Sequence, residues 1–224
     1  MKRFLFFLTG FLFWASSVCA QQTSWDSTYR PSGYALRTAQ FSEFAHSKKD
    51  IIFLGNSITA GVDWAELLQN SRAKNRGISG DITFGVLERL HEVVAGKPKK
   101  VFILIGINDI SRNIPVSVIL GNYKRMIAQI KAGSPSTKIY FQTVLPVNSN
   151  IPPKKNHYGK DEQIDAVNKG LKELCNIEKV GCIDIHPYFV KDGKLNEEYT
   201  YDGLHLNIKG YKLWASILKK GKYL

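Results

Sequence analysis

Residue types that together perform nucleophilic catalysis occur in two short segments at opposite ends of this 224-residue chain. Ser57 lies in the turn of residues 55–59, directly after the apolar run of residues 51–54. Asp202 and His205 stand close together near the C-terminus. A carboxylate that holds one ring nitrogen of a histidine leaves the other nitrogen free to take the proton of an attacking serine. If the fold brings the two ends together, the chain carries the nucleophile, base and orienting acid of a serine hydrolase.

Acyl transfer also needs hydrogen-bond donors for the oxyanion that forms on the attacked carbonyl. The backbone amide of Ser57 is one donor, because it sits at a strand-to-helix turn. Residues 75–81 and 106–109 offer others: Gly80 lets a backbone amide approach a ligand closely, and the Asn108 carboxamide is a neutral donor. Taken singly, Gly80 is a turn glycine and Asn108 a helix cap. Only their joint occurrence with the serine, histidine and aspartate points to a site.

The other titratable residues are weaker candidates. His186 follows Asp184 but precedes Pro187, so it is interpreted as a strand end rather than a base. Asp81 and Asp109 are interpreted as helix caps or loop ties, although a substrate-facing role stays open for either. No His, Cys or carboxylate spacing resembles a metal site. The sequence therefore predicts neither a metal nor a cofactor.

The elements that must position these residues alternate along the chain. Strand-like apolar runs lie at residues 51–54, 74–78, 101–105, 138–145 and 180–185. Helical stripes lie at residues 34–46, 64–68, 82–94, 123–130, 164–174 and 211–218. This alternation predicts an α/β fold in which helices cover both faces of a mostly parallel sheet. Ligands bind at the carboxyl ends of such strands, where Ser57, Gly80 and Asn108 each follow a strand.

The N-terminal residues 1–20 are expected to be an export signal. They have a basic start, an apolar stretch at residues 4–14 and a small-residue end that permits cleavage before Gln21. The apolar stretch is short for a membrane span, so we expect an exported protein, periplasmic or extracellular, with no integral membrane segment after signal removal. Cys19 leaves a lipid anchor open, although the residues before it fit that processing poorly.

The remaining chain has the length of one domain. We expect residues 21–46 to form an N-terminal arm and a helix packed on the domain, and residues 47–224 to form the domain itself. Cys175 and Cys182 could pair in an oxidising compartment, or could equally be buried free thiols. The oligomeric state stays open.

The net charge of +12 is a second bulk property with functional meaning. Such a surplus can attract an anionic polymer. Its most concentrated part, residues 219–222, lies at the end of a predicted helix, where cations stabilise exposed carbonyls. Because no nucleic-acid motif accompanies the charge, no nucleic-acid partner is predicted.

Four blocks of the chain together resemble the SGNH or GDSL-type esterase and lipase family. The blocks occur in the family's order at plausible separations, at residues 55–59, 75–81, 106–109 and 202–205. Asn56 stands where the commonest GDSL string has aspartate, a neutral change that we expect to leave catalysis intact. Thr59 stands where the nucleophile elbow of α/β-hydrolases would have its second glycine, which argues against that other family.

The resemblance implies a three-layer α/β/α sandwich with a flavodoxin-like sheet and no cofactor. It assigns Ser57 as the nucleophile, with Asp202 and His205 completing the triad. The oxyanion hole would consist of Ser57, Gly80 and Asn108.

The expected activity is that of an exported serine esterase. Because no long apolar segment suggests a deep acyl tunnel, we expect short acyl groups, above all acetyl, on a carbohydrate or other alcohol. The partner would then be a small-molecule or glycan ester. A lysophospholipid or phospholipid acylhydrolase and a non-catalytic glycan-binding protein on the same fold are the alternatives. The loop of residues 146–161 is either a wall of the pocket or an exposed connector.

Overall fold

The computed structural model describes residues 25–153 and 155–224. The predicted export signal and Cys19 lie outside these residues. Within them, no helix is long and apolar enough to cross a membrane.

The described residues form seven strands, ten α-helices and one short 3₁₀-helix, Glu197–Tyr199. The strands are β1 Ile51–Gly55, β2 Ala73–Gly77, β3 Lys100–Leu104, β4 Lys138–Gln142, β5 Gly181–Ile183, β6 Val190–Lys191 and β7 Lys194–Leu195. The helices are α1 Tyr34–Glu43, α2 Ser57–Ala60, α3 Trp64–Leu68, α4 Thr83–Glu88, α5 Leu90–Ala95, α6 Ile107–Ser111, α7 Val116–Gly133, α8 Asp161–Glu178, α9 His186–Phe189 and α10 Ile208–Lys220.

The main sheet has the strand order β2-β1-β3-β4-β5, and all of its neighbouring strands are parallel. This is the order of a flavodoxin-like sheet, so the predicted α/β fold is confirmed. Strands β6 and β7 form a separate antiparallel pair. Because β1 lies between β2 and β3, the loops that follow these three strands meet at one edge of the sheet.

A row of aromatic rings fills the core on one side of the sheet. Phe53 of β1 stacks on Trp64 of α3 with centroids 3.9 Å apart and on Phe102 of β3 at 5.1 Å. Trp214 of α10 meets Trp64 edge to face at 4.8 Å. Offset and edge-to-face aromatic pairs add to the free energy gained by burying their apolar surface. The row therefore holds α3 and the C-terminal helix α10 against β1, the strand that leads to Ser57.

Two predicted elements differ from the structure in ways that have physical causes. The stripe of residues 82–94 is two helices, α4 and α5, which meet at Arg89, a residue whose side chain is completely buried. The predicted strand at residues 138–145 ends at Gln142, because its neighbour β5 ends at Ile183, the residue opposite Gln142. Residues 143–145 continue as buried, irregular chain.

The N-terminal segment packs on the flank of the domain beside the loops that follow β2 and β3. Trp25 stacks on Phe84 with centroids 5.8 Å apart, and the Tyr34 hydroxyl donates to the Gly85 carbonyl at 2.8 Å. Phe41 of α1 is fully buried against the guanidinium group of Arg76, 4.9 Å from the ring centroid.

The two cysteines outside the predicted signal are free. Cys175 is buried, and Cys182 is half-buried. Of the two alternatives left open by the sequence, the structure therefore has unpaired thiols.

Candidate active site

Ser57, His205 and Asp202 form a hydrogen-bonded chain at the end of β1. Ser57 is the first residue of α2, and its Oγ lies 2.9 Å from Nε2 of His205. Nδ1 of His205 lies 2.8 Å from Oδ2 of Asp202. Because an ionised carboxylate only accepts, Nδ1 carries the hydrogen and the lone pair of Nε2 faces the serine hydroxyl. This arrangement can draw the proton from Ser57 as its oxygen attacks.

The turn that carries the acid and the base is shaped by its own hydrogen bonds. Oδ1 of Asp202 accepts from the backbone amides of Leu204 at 3.0 Å and His205 at 2.7 Å. Gly203 has φ of +78°, and a Cβ there would lie 2.4 Å from the Asn148 carbonyl oxygen. Glycine is needed at this position, since other residues would meet both the strain and the collision. The carboxylate and the imidazole are thus held in one geometry.

Asp202 is ionised throughout the neutral range. Partial burial by itself would raise the pKa of this carboxyl group, but hydrogen bonds from the ring and amide of His205, the amide of Leu204 and the Lys155 ammonium hold the pKa well below its ordinary value. Nζ of Lys155 is 3.1 Å from Oδ2 of Asp202. A permanent negative charge at this position favours the imidazolium that forms when His205 takes a proton.

The three candidate donors of the predicted oxyanion hole lie in the segments that follow β1, β2 and β3. Gly80 has φ of +78° in a turn that is closed by a 3.1 Å hydrogen bond from the Asp81 amide to the Ile78 carbonyl. Among the described residues, the Ser57 and Gly80 amides donate no hydrogen bond. Nδ2 of Asn108 donates to the Asp81 carbonyl at 2.9 Å, and its second hydrogen is left for a ligand.

A cleft of about 520 Å³ opens beside these groups. Its lining includes Gly80, Asn108, His205 and residues 155–157 of the loop after β4. The sequence left open whether this loop is a wall of the pocket or an exposed connector. In the structure, part of it forms a wall of the cleft. A groove beside β5 has the same volume, but no member of the proposed triad lines it. The candidate site is therefore identified by the residues that line it and not by the volume of the cleft.

Buried charged side chains connect the loops of the candidate site to one another. Nε of Arg89 donates to Oδ2 of Asp81 at 3.0 Å, and Nη2 donates to the Gly55 carbonyl at 3.1 Å. Oδ1 of Asp109 accepts from the amide of Thr83 at 3.0 Å. Asp81 thus ties its loop to Arg89, and Asp109 ties α6 to the first amide of α4. Burial raises the pKa of Asp81, and it raises the pKa of Asp109 to about 7.

The family of this chain follows from comparison with known sequences. A sequence profile of the GDSL-like Lipase/Acylhydrolase family matches residues 53–213, which include all four blocks. The chain belongs to this family. Over 169 residues it is 30% identical to the platelet-activating factor acetylhydrolase IB subunit alpha2 of Rattus norvegicus, with 72% of this chain and 71% of that protein covered. Membership of the family supports ester hydrolase activity.

Solved structures of other proteins share the fold. A GDSL-like lipase from Bacteroides thetaiotaomicron superposes with a TM-score of 0.74 at 24% identity, over 85% of this chain and 98% of that one. An acetylxylan esterase from Geobacillus stearothermophilus superposes with a TM-score of 0.63 at 19% identity, over 79% and 94%. At these identities, the likeness establishes the common architecture alone.

Several residues that line or contact the candidate site belong to none of the four sequence blocks. Lys155 contacts Asp202, and Nε2 of His157 lies 3.0 Å from Oδ1 of Asn108. Tyr29 and Arg112 also line the cleft, with the guanidinium over the tyrosine ring. For Lys155 and His157, the only sequence signal was that the loop of residues 146–161 follows a strand end. No sequence signal indicated Tyr29 or Arg112.

His186 does not join the site. Its Nδ1 lies 2.7 Å from the Val144 carbonyl, and its amide donates to Oγ1 of Thr143 at 2.9 Å. The histidine thus closes the end of β5, as the sequence indicated. In the described part of the chain, no group of three or more His, Cys, Asp or Glu side chains is arranged to hold a metal ion.

Proposed function

We propose that the protein is an exported serine esterase that removes a short acyl group, above all acetyl, from a carbohydrate or another alcohol. The observation that carries the proposal is the relay from Ser57 to His205 at 2.9 Å and from His205 to Asp202 at 2.8 Å, which borders an open cleft. The Ser-His-Asp assignment and the oxyanion hole are parts of this proposal.

In the acylation half, Oγ of Ser57 attacks the ester carbonyl carbon while Nε2 of His205 takes the hydroxyl proton. The carbonyl oxygen becomes an oxyanion, which the Ser57 and Gly80 amides and the Asn108 carboxamide stabilise. The C–O bond to the alcohol then breaks, and the imidazolium returns its proton to the departing alkoxide. Ser57 is left as an acyl ester.

In the deacylation half, a water molecule takes the place of the alcohol. His205 accepts one of its protons as the water oxygen attacks the acyl carbon, and the same donors stabilise the second oxyanion. The bond to Oγ breaks, the proton returns to Ser57, and the carboxylic acid leaves. The ionised Asp202 stabilises the imidazolium in both halves.

The cleft supports a short acyl group and a polar alcohol. Most of the residues that line it are polar or charged, and Tyr29 and Leu204 supply its larger apolar side chains. An acyl tunnel for a long chain would need a continuous apolar lining. The relative at 30% identity is named for hydrolysis of an acetyl group, which supports the same choice.

A substrate panel tests the proposal. Acetylated sugars, aryl acetates, aryl esters of longer acids and a lysophospholipid are assayed side by side with the wild-type protein and Ser57→Ala. We expect kcat/KM to be highest for the acetyl esters, and the aryl acetates to give a burst of phenol from the acyl-enzyme. Preference for the lysophospholipid would establish the lipid alternative, and binding of acetylated sugar without hydrolysis would establish the glycan-binding one.

Export is the part of the proposal that depends on residues outside those described. Expression of the full chain in a bacterial host, followed by mass analysis of the mature protein, tests it. An N-terminus at Gln21 in the periplasm or medium is expected. An acylated Cys19 would show a lipid anchor instead, and an intact Met1 in the cytoplasm would contradict export.

A further inference from the structure

His157 contacts Asn108, one of the proposed oxyanion-hole donors. It lies in the loop between β4 and α8, is half-buried, and places its Nε2 3.0 Å from Oδ1 of Asn108. We infer that His157 is a positioning residue that holds the Asn108 carboxamide with its N–H directed at the oxyanion. This inference rests on the proposed function, since it gives His157 a role only if Asn108 stabilises the transition state.

The orientation of the carboxamide follows from its two partners. The Asp81 carbonyl can only accept, so the amide nitrogen of Asn108 must face it, as it does at 2.9 Å. Oδ1 of Asn108 then faces His157, and Nε2 of His157 must carry the hydrogen that it donates. A hydrogen bond to the carbonyl end of an amide also polarises its N–H, because linked hydrogen bonds strengthen one another.

The imidazole of His157 is neutral when it does this. Burial and, to a smaller extent, the nearby His205, Lys155 and Arg112 together lower the pKa of His157 to about 4, against the opposing charge of Asp202. With the hydrogen on Nε2, Nδ1 is a bare nitrogen that is buried and has no partner among the described residues. A second proton would have to be placed there without an acceptor. His157 therefore remains a single, fixed donor while His205 cycles through its charged state.

The loop that carries His157 is anchored to the other half of the site as well. The Tyr158 hydroxyl lies 2.8 Å from the Asp202 carbonyl and 2.9 Å from the Ile151 carbonyl. Lys155 contacts the Asp202 carboxylate at 3.1 Å. These bonds fix the distance from the acid to the oxyanion donor, so His157 meets Asn108 from a backbone that is already held in place.

A matched pair of variants separates this role from simple packing. Methionine and glutamine have similar shapes, but only glutamine can donate a hydrogen bond to Asn108. We expect His157→Met to lower kcat on an aryl acetate by on the order of tenfold, with KM and the pH profile nearly unchanged, since one neutral hydrogen bond is lost. His157→Gln should restore most of the rate. His91→Met, at an exposed histidine, is the control and should leave kcat unchanged.

A double-mutant cycle with Asn108→Ala completes the experiment. If His157 acts through Asn108, His157→Met should cause no further loss in the Asn108→Ala background. Three results would each overturn the inference. The two losses in kcat multiply in the double variant, His157→Gln is as slow as His157→Met, or His157→Met keeps the kcat of the wild type. Thermal unfolding checks the folding of each variant, and His157→Phe, which also lacks a donor, replaces His157→Met if that variant does not fold.

The same measurements separate the inference from the proposed function. An inactive Ser57→Ala with a fully active Asn108→Ala would keep the esterase and remove both Asn108 and His157 from the oxyanion hole. A slow Asn108→Ala with a normal His157→Met would remove His157 alone. A fully active Ser57→Ala would remove the esterase proposal itself.

Discussion

Asp81 and Arg89 form an ion pair in which neither side chain is exposed, with Nε of Arg89 3.0 Å from Oδ2 of Asp81. The same guanidinium donates to the carbonyl of Gly55, the last residue of β1. The arginine thus joins the loop that carries Gly80 to the strand that leads to Ser57. Two parts of the proposed site that come from different strands are fixed to one buried cation.

Removing that cation should destabilise the whole domain. Arg89→Leu leaves the Asp81 carboxylate buried without its partner, so we expect the free energy of unfolding to fall by about 3–5 kcal/mol. Urea denaturation measures it. Lys131→Ala is the control, because it breaks a partly exposed pair with Glu178 and should cost at most about 1 kcal/mol. Similar losses in the two variants would contradict the structural role of Arg89.

Asp109 should give the stability a dependence on pH. Burial raises its pKa from 3.8 to about 7 in the folded state. The stability that the protonated carboxyl contributes is complete below the unfolded pKa and is lost as the pH rises through about 7. Relative to Asp109→Asn, the wild-type free energy of unfolding should therefore decrease between about pH 4 and pH 7. Urea denaturation across this range measures the difference, with the exposed Asp63→Asn as control. A difference that does not change with pH would be the contrary result.

Gly80 should matter more for rate than for stability. Alanine at φ of +78° is strained, and its Cβ would lie 3.1 Å from Cβ of Pro31, so the turn and its amide must shift. We expect Gly80→Ala to lose about 1 kcal/mol of stability and to lower kcat well beyond any loss of folded protein. Gly121→Ala, which lies in α7 and meets no atom within 4 Å, is the matched control and should leave kcat unchanged. Unchanged turnover in Gly80→Ala would exclude its amide from the oxyanion hole.

The positive charge of Lys155 should affect the pH dependence of kcat/KM. Lys155→Met removes a positive charge 3.1 Å from the Asp202 carboxylate, and protonation of the His205 imidazole becomes easier as a result. The acid limb of the kcat/KM profile should then move to higher pH. Lys194→Met, whose ammonium contacts Asn150 on the surface, is the control and should leave the profile in place. A limb that moves to lower pH would contradict the assigned electrostatics.

The sequence was sufficient to predict the sheet and the candidate triad. Five apolar runs separated by helical stripes define a parallel sheet, and the chemistry of acyl transfer limits which residue types can follow its strands. Ser57, Asp202 and His205 were therefore predicted from local segments, although the serine and histidine are 148 positions apart. Because loops at the carboxyl ends of parallel strands meet at one edge, the topology itself brought them together.

Other features of the structure have no local sequence pattern that predicts them. The break at Arg89 was missed because periodicity counts apolar positions, and a buried ion pair places a charged residue at one of them. His157 was missed because its partner Asn108 is 49 positions away and belongs to another loop. Strands β6 and β7 have two residues each, which is too short for an alternating pattern to be detected.

Turnover of an aryl acetate by Ser57→Ala tests the central claim most directly. With wild-type circular dichroism and thermal unfolding, this variant should lose about a thousandfold or more in kcat, because no other group in the relay can form the acyl intermediate. A folded Ser57→Ala variant that turns over the ester at a rate near the wild type would contradict the account.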